Sequence, residues 1–478
     1  MKYYPTIGLE IHAELKTLTK MFCDSRNDPE EKRPNVNVCP VCMGHPGTLP
    51  TVNKEAVKHI VKVGLAVGGT IAEFSEFDRK NYFYPDIPKG YQISQYQFPL
   101  VKGGMLAGVQ LTRVHLEEDT AKSSHIGEGG DSHSLVDFNR AGVPLMELVT
   151  EPVIKSADEA VRFAKELQLL LRSLNVANVN MEKGEMRVEA NISVSQNEGE
   201  LGKKVEVKNL NSFRSVERAI EYELARHASV LDGGGEVVQE TRGWDEDAGE
   251  TFSQRRKEES HDYRYFPDPD IPKLDLKDIP EFSSETLKKD LPELPQQKRE
   301  RLGQSYGLKR EDVELYVGDI ELGKFFEAVA ALLKEKSAIV TASNYIVSDL
   351  LGLSKGEGSE KLISRIQPSH FAELIQLVVG QKISSRGAKD ILRAMYEGEG
   401  NPSVIAKEKG LFQQSDEKLL METVQKVIDA NPKVVSEYKS GKTAVIQYLI
   451  GQSMKEAKGS ANPSVLKEII VKLLKTPS

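Results

Sequence analysis

Only three cysteines and one tryptophan occur in these 478 residues, and long apolar runs are missing altogether. A bilayer span needs about 20 consecutive apolar residues, so no membrane-crossing helix is expected. The opening Met1-Lys2-Tyr3-Tyr4-Pro5 has no apolar stretch of the kind a secretory leader carries. An odd, small number of cysteines builds no disulfide framework and fits the reducing cytoplasm, which is the expected location. An excess of positive charge is also lacking: the net charge is −8, which argues against a general nucleic-acid binder. No internal repeat or low-complexity tract is found. A phosphate-binding P-loop is missing too. Gly318 to Lys324 has the right spacing, but Phe325 stands where the metal-binding hydroxyl belongs. Ser440-Gly441-Lys442-Thr443 ends correctly, but Ser436 replaces the first glycine.

What is present is an ordinary globular composition, 39% apolar and 28% charged, long enough for about three domains. Charge is unevenly spread. From Ala406 to Ser478 there are twelve Lys against eight Asp or Glu, net +4, leaving −12 for the rest. A basic tail on an acidic body allows local contact with phosphates. The first 290 residues alternate short strand and helix patterns. A proline-rich stretch from Pro280 to Pro295 reads as a linker, and the remainder reads as helical, with apolar residues at three- and four-residue spacing in Ile320 to Lys334 and after Pro368. Ser156-Ala157-Asp158-Glu159 is a capping box ahead of one helix, and Lys54 to Val67 forms another that stops at Gly68-Gly69.

Three strands carry chemistry on one face. In Ile7 to Leu15 the odd positions are apolar, while Glu10, His12 and Glu14 share the other side. Met186 to Val194 sends Arg187, Glu189, Asn191 and Ser193 one way. Lys203 to Asn209 sends Lys204, Glu206 and Lys208 one way, and is close enough to its predecessor for a hairpin. Acids also recur at Glu117-Glu118-Asp119, Glu147 and Glu151. Oxygen-rich groups of this kind suit a hard cation such as Mg²⁺. Cys39-Pro40-Val41-Cys42 has zinc-knuckle spacing, with Cys23 upstream and His45 or Asp24 available as a fourth ligand. His12-Ala13-Glu14 followed by that pair also suggests a zinc-dependent nucleobase deaminase. Val38 in place of proline, and a strand rather than a helix at His12, speak against it.

Longer segments carry a family resemblance. They are Ile7 to His12, Asp78 to Asp86, His115 to Asp119, Asp137 to Glu147, Lys208 to Phe213, Gln239 to Arg242 and His261 to Pro267, with Gly451 to Lys455 and Ala461 to Pro463 in the tail. In this order they resemble the GatB family, the B subunits of tRNA-dependent amidotransferases. The resemblance covers nearly the whole chain. It implies an α+β fold: a mixed α/β cradle domain over residues 1–292, an all-α helical domain over 293–405, and a small helical YqeY-like tail over 406–478 that engages tRNA. It implies ATP-dependent phosphorylation of the side-chain carboxylate of a mischarged Glu-tRNA or Asp-tRNA. Amidation with ammonia from a glutamine-hydrolysing amidase partner would follow, and a small third partner would complete a heterotrimer. The Mg²⁺ ligands would be Glu10, His12, Glu117, Glu118, Glu147 and Glu189, of which Glu10, His12 and Glu147 would be catalytic. Glu189 stands where the family usually has Asp. Lys80, Arg140, Lys208 and Arg264 would contact ATP or substrate. Many relatives carry four thiolates where this chain has Cys23, Cys39 and Cys42 with Ser25 in the remaining place, so zinc binding at this remnant is in question. The competing reading is a non-catalytic tRNA-binding scaffold, which would gain nothing from clustered acids.

Overall fold

Alternation of apolar and polar residues makes two-faced strands, and the computed structural model assembles them into one ten-stranded sheet. It describes residues 3–127, 133–256, 263–353, 358–413, 417–457 and 461–475. His261 and Asp262 of the resemblance motifs lie outside the described residues. The chain divides into two compact units, Met1–Pro295 and Gln296–Ser478.

In the first unit the middle of the sheet runs Val205–Leu210, Met186–Ser195, Tyr4–Glu14, Pro144–Thr150, Val109–Glu118, each antiparallel to the next. The expected hairpin of Met186–Ser195 with Val205–Leu210 is present. One face of the sheet is apolar. Ile7, Leu9, Ile11, Leu116, Leu148, Val188 and Ile192 are all within 1% of full burial and belong to one core. The helices Lys54–Ala66, Ala157–Ser173 and Phe213–Asp232 add side chains to that core, among them Ile60, Phe163 and Val216. Ser156 caps the second of these, accepting a hydrogen bond from the Glu159 amide, as the capping box requires. The proline-rich stretch is more than a linker. Phe282 and Leu287 are buried in the same core, and the division between units falls at Pro295.

The main elements of the second unit's described residues are helices, and Ile383 and Phe412 form an isolated bridge. The helix Ile320–Ala331 buries Leu322, Phe325 and Phe326, following the apolar spacing. Pro402–Glu408 packs on Pro368–Val379 and Ser385–Tyr396, and so spans residue 406. Beyond it Leu420, Val424, Leu449, Leu466 and Ile470 form a separate core. Among the described residues no helix is long and apolar enough to cross a membrane.

Candidate active site

Residues directly opposite in neighbouring antiparallel strands project to the same side. Register therefore decides which acids meet. His12 lies opposite Glu147 on one side and Arg187 on the other, and Glu10 lies opposite Glu189. Glu147 lies opposite His115, and Leu145 opposite Glu117. Glu206 lies opposite Asn191. All these polar side chains share the face turned away from the apolar core.

His12 is the hub. Its Nε2 stands 3.4 Å from Glu117, 3.5 Å from Glu147 and 3.9 Å from Glu10. His115 Nε2 is 3.4 Å from Glu147, and Arg113 reaches the same carboxylate at 3.3 Å. The Ser94 hydroxyl donates to Glu117 at 3.2 Å. A second group adjoins the first through Glu10, whose carboxylate shares a site with Glu189 and Glu206. Lys208 lies between these two acids, 2.6 Å from Glu189 and 3.7 Å from Glu206.

Burial and the neighbouring Glu147 and Glu189 push the Glu10 carboxyl up to about 7. Burial works against charge on His12, but Glu117 and Glu147 outweigh it and raise the imidazole well above its usual range. Burial likewise works against the Glu147 carboxylate, yet His115 and His12 hold it well below the usual range. Lys80 is raised because Glu117, Tyr265 and Glu147 more than offset its desolvation. Its ammonium lies 5.1 Å from the ring centre of Tyr263. Acids, imidazoles and cationic side chains thus lie close together in a partly dehydrated patch, where each charge acts strongly.

The expected residues separate into those the fold gathers and those it does not. Glu10, His12, Glu117 and Glu147 converge, with Glu189 and Lys208 beside them and Lys80 facing them. Glu118 does not join them. Strand alternation sends it to the opposite side from Glu117, where Lys89 takes its carboxylate at 2.6 Å and the Ile93 amide donates at 2.9 Å. Arg140 sits 3.5 Å from Asp119, which also binds Arg187, and donates to the Thr120 and Ala121 carbonyls. Arg264 is exposed in a left-handed conformation, φ 46°, and its carbonyl accepts from Asn81. His115, Arg113 and Glu206 were not singled out from sequence as site residues. Strand parity already set Glu206 on a polar face with Lys208, and the signal for His115 and Arg113 is register, which a single strand does not reveal.

The three cysteines gather with one another, apart from His12. Their sulfurs lie within 4.8 Å of each other, as those of a metal site would. Ser25 Oγ and the wholly buried Lys20 ammonium stand against Cys42, at 3.8 and 3.7 Å. Neither His45 nor Asp24 joins the group among the described residues.

A family model described as the GatB/GatE catalytic domain matches residues 5–279, and one described as the GatB domain matches residues 324–474. A Thermotoga maritima protein, named as the B subunit of an aspartyl/glutamyl-tRNA(Asn/Gln) amidotransferase, is 46% identical over 99% of both chains. Relatives of the same name from Persephonella marina and Thermodesulfovibrio yellowstonii are 43% and 44% identical over 99% of this chain and 100% of theirs.

Proposed function

The chain belongs to the GatB family, and from that premise we propose that it activates the side-chain carboxylate of Glu-tRNA or Asp-tRNA with ATP and passes it to ammonia. It is then the B subunit of a carbon–nitrogen ligase that takes its amide nitrogen from glutamine. The observation carrying this reading is the convergence of Glu10, His12, Glu117 and Glu147 beside Lys80 on one sheet face.

A carboxylate resists attack by ammonia because an oxide would have to leave. Phosphorylation turns that oxygen into phosphate, a good leaving group. The transfer demands positioning and charge neutralisation rather than covalent help from the protein. Lys80 and Lys208 are two of the cations facing the acids, and they would bind phosphate oxygens. Lys80 keeps its charge there because Glu117 and Glu147 favour it.

The donor set also fits a divalent cation. The ligand atoms of Glu10, His12 and Glu147 lie within 4.8 Å of one another, as do those of His115, Glu117 and Glu147. Bound Mg²⁺ would neutralise phosphate charge during transfer. Glu117 and Glu147 favour a proton on His12, and a cation held by His12 would have to displace that proton. Glu189 is held by Lys208 and, grouped with Glu10 and Glu206, would be a further residue available to hold the cation.

The partners are an amidase that hydrolyses glutamine and a small third subunit. The cradle would span 1–292, a helical domain 293–405 and the tRNA-engaging tail 406–478. Buried, paired acids oppose the scaffold reading, because a phosphate-binding surface gains nothing from them.

The test is an ADP assay with Glu-tRNA, with and without the amidase partner. ADP formation that depends on the tRNA is expected. Glu147→Ala should reduce it at least a hundredfold while tRNA affinity stays near wild type. A variant that makes ADP at the normal rate removes Glu147 from the reaction.

A further inference from the structure

Aromatic side chains collect beside the acids on the small sheet that carries Lys80. There Asp78–Asn81 pairs with Tyr91–Ser94 on one edge and with Phe266–Pro267 on the other. Tyr96 and Tyr265, next to the ends of the two outer strands, stack with ring centres 4.4 Å apart and planes 10° from parallel. Tyr263 meets Tyr265 edge to face at 6.2 Å and Tyr82 at 6.0 Å, and the Lys80 ammonium stands over the Tyr263 ring. The ladder of rings adjoins the acids. Ser94, which donates to Glu117, lies two residues before Tyr96, and two residues of chain span at most about 7 Å. Burial pushes the Tyr265 phenol up to about 12; Lys80 opposes this, while Glu117 and Glu147 add to it.

Rings that only filled a core would be covered, and this stack is open at one end. Tyr96 is 54% exposed, although the Asp78 carboxylate holds its amide at 2.9 Å. Tyr265 is the only ring against it among the described residues. Arg264, between two of the tyrosines, is exposed, and its guanidinium enters no ion pair among the described residues. Its backbone is fixed nonetheless, because Asn81 donates to the Tyr263 and Arg264 carbonyls at 3.3 and 2.9 Å. A rigid ring with an open face, close to an unpaired cation, suits a single-stranded nucleotide: the base stacks on the ring and the phosphate meets the cation.

We propose that Tyr96, backed by Tyr265, stacks on the unpaired base at the 3′ end of the aminoacyl-tRNA, with Arg264 toward the adjoining phosphate. The proposal rests on the activation reading above and names the contact that places the ester. Covalent reach selects this base. The amino acid is esterified to the ribose of the last nucleotide, so that nucleotide's base lies one sugar away from the carboxylate being activated. The adenine of ATP is separated from the transferred phosphoryl group by a ribose and two further phosphates, and sits farther off. Tyr96 touches no reacting atom. It is a positioning residue that holds the ester still while the phosphoryl group is transferred.

The experiment uses the full-length protein and a tRNA(Gln) transcript ending in 2-aminopurine, whose fluorescence is quenched when the base stacks. Wild type should quench it, Tyr96→Ala should not, and Tyr96→Phe should quench it again. Saturating ATP should leave the quenching in place. In the ADP assay, Tyr96→Ala should lower kcat/KM for Glu-tRNA about tenfold or more, the scale of one stacked base, with KM for ATP unchanged. Quenching reads the base without the reaction, so a wild-type protein that quenches and makes no ADP loses the activation reading and keeps the stacking contact. Equal fluorescence with wild type and Tyr96→Ala overturns the proposal. Quenching that ATP abolishes overturns it too, by giving the rings to the adenine of the nucleotide. An unchanged kcat/KM for Glu-tRNA in Tyr96→Ala overturns the positioning role.

Discussion

Glu10 ties the chemistry of the site to the stability of the fold. Its folded value of about 7 lies above the ordinary 4.5, so the native state holds a proton that the unfolded chain has released. The associated stabilisation is complete below pH 4.5 and is lost as pH rises through 7. Glu10→Gln is the permanent mimic of the protonated form. In chelator its stability relative to wild type should rise between about pH 5 and pH 8 by about 2–3 kcal/mol, because a tenfold change in a protonation equilibrium is worth about 1.4 kcal/mol. Urea denaturation at the two pH values reads this directly, and an equal difference at both would contradict it. Period-two alternation was enough to place Glu10 with His12 and to set Glu189 on a polar face. It did not reach His115 or Arg113, because their proximity to Glu147 comes from pairing across strands distant in sequence. The same alternation, applied to Glu117 and Glu118, already implies that only one of the two can face His12.

At the scale of elements, the strands are two-sided, and each side constrains the other. Leu148 is fully buried in the core one residue after Glu147. Leu148→Ala should cost about 2–5 kcal/mol, the usual range for a buried leucine truncated to alanine. Its effect on the ADP rate should be small at temperatures where the variant stays folded. A chemical denaturation curve within about 1 kcal/mol of wild type would show that this face is not the core described. The strands and capped helices were legible because alternation, caps and glycine stops act within a few residues. Sheet order was not, since Tyr4–Glu14 takes as neighbours strands that begin at residues 144 and 186. The linker reading of Pro280 to Pro295 missed Phe282 and Leu287 because isolated apolar residues between prolines carry no periodic signal.

On the scale of the whole molecule, the charge imbalance and the separate core after Leu420 point the same way. Ending the chain at Gln413 removes that core intact and leaves the helix Pro402–Glu408 with its partners. Binding to tRNA should weaken, and the salt dependence should flatten by a slope of about 0.9 for each lost contact on duplex. Filter binding across a salt series measures both. Unchanged affinity would move tRNA recognition elsewhere.

The central position of Tyr4–Glu14 has one more consequence. Its backbone is paired on both edges, and its neighbour Pro144–Thr150 is likewise flanked on both sides. Glu10, His12 and Glu147 are therefore carried by strands paired on both edges, and fraying at a sheet edge does not separate them. Amide hydrogen exchange at Ile11, His12, Met146 and Glu147 should proceed only when the first unit opens as a whole, far more slowly than in the peripheral strand Glu250–Arg256. Deuterium uptake at the two places, followed by fragment mass spectrometry, would measure the gap. If it is as wide as the pairing implies, this active face endures as long as the domain stays folded and disappears only with it.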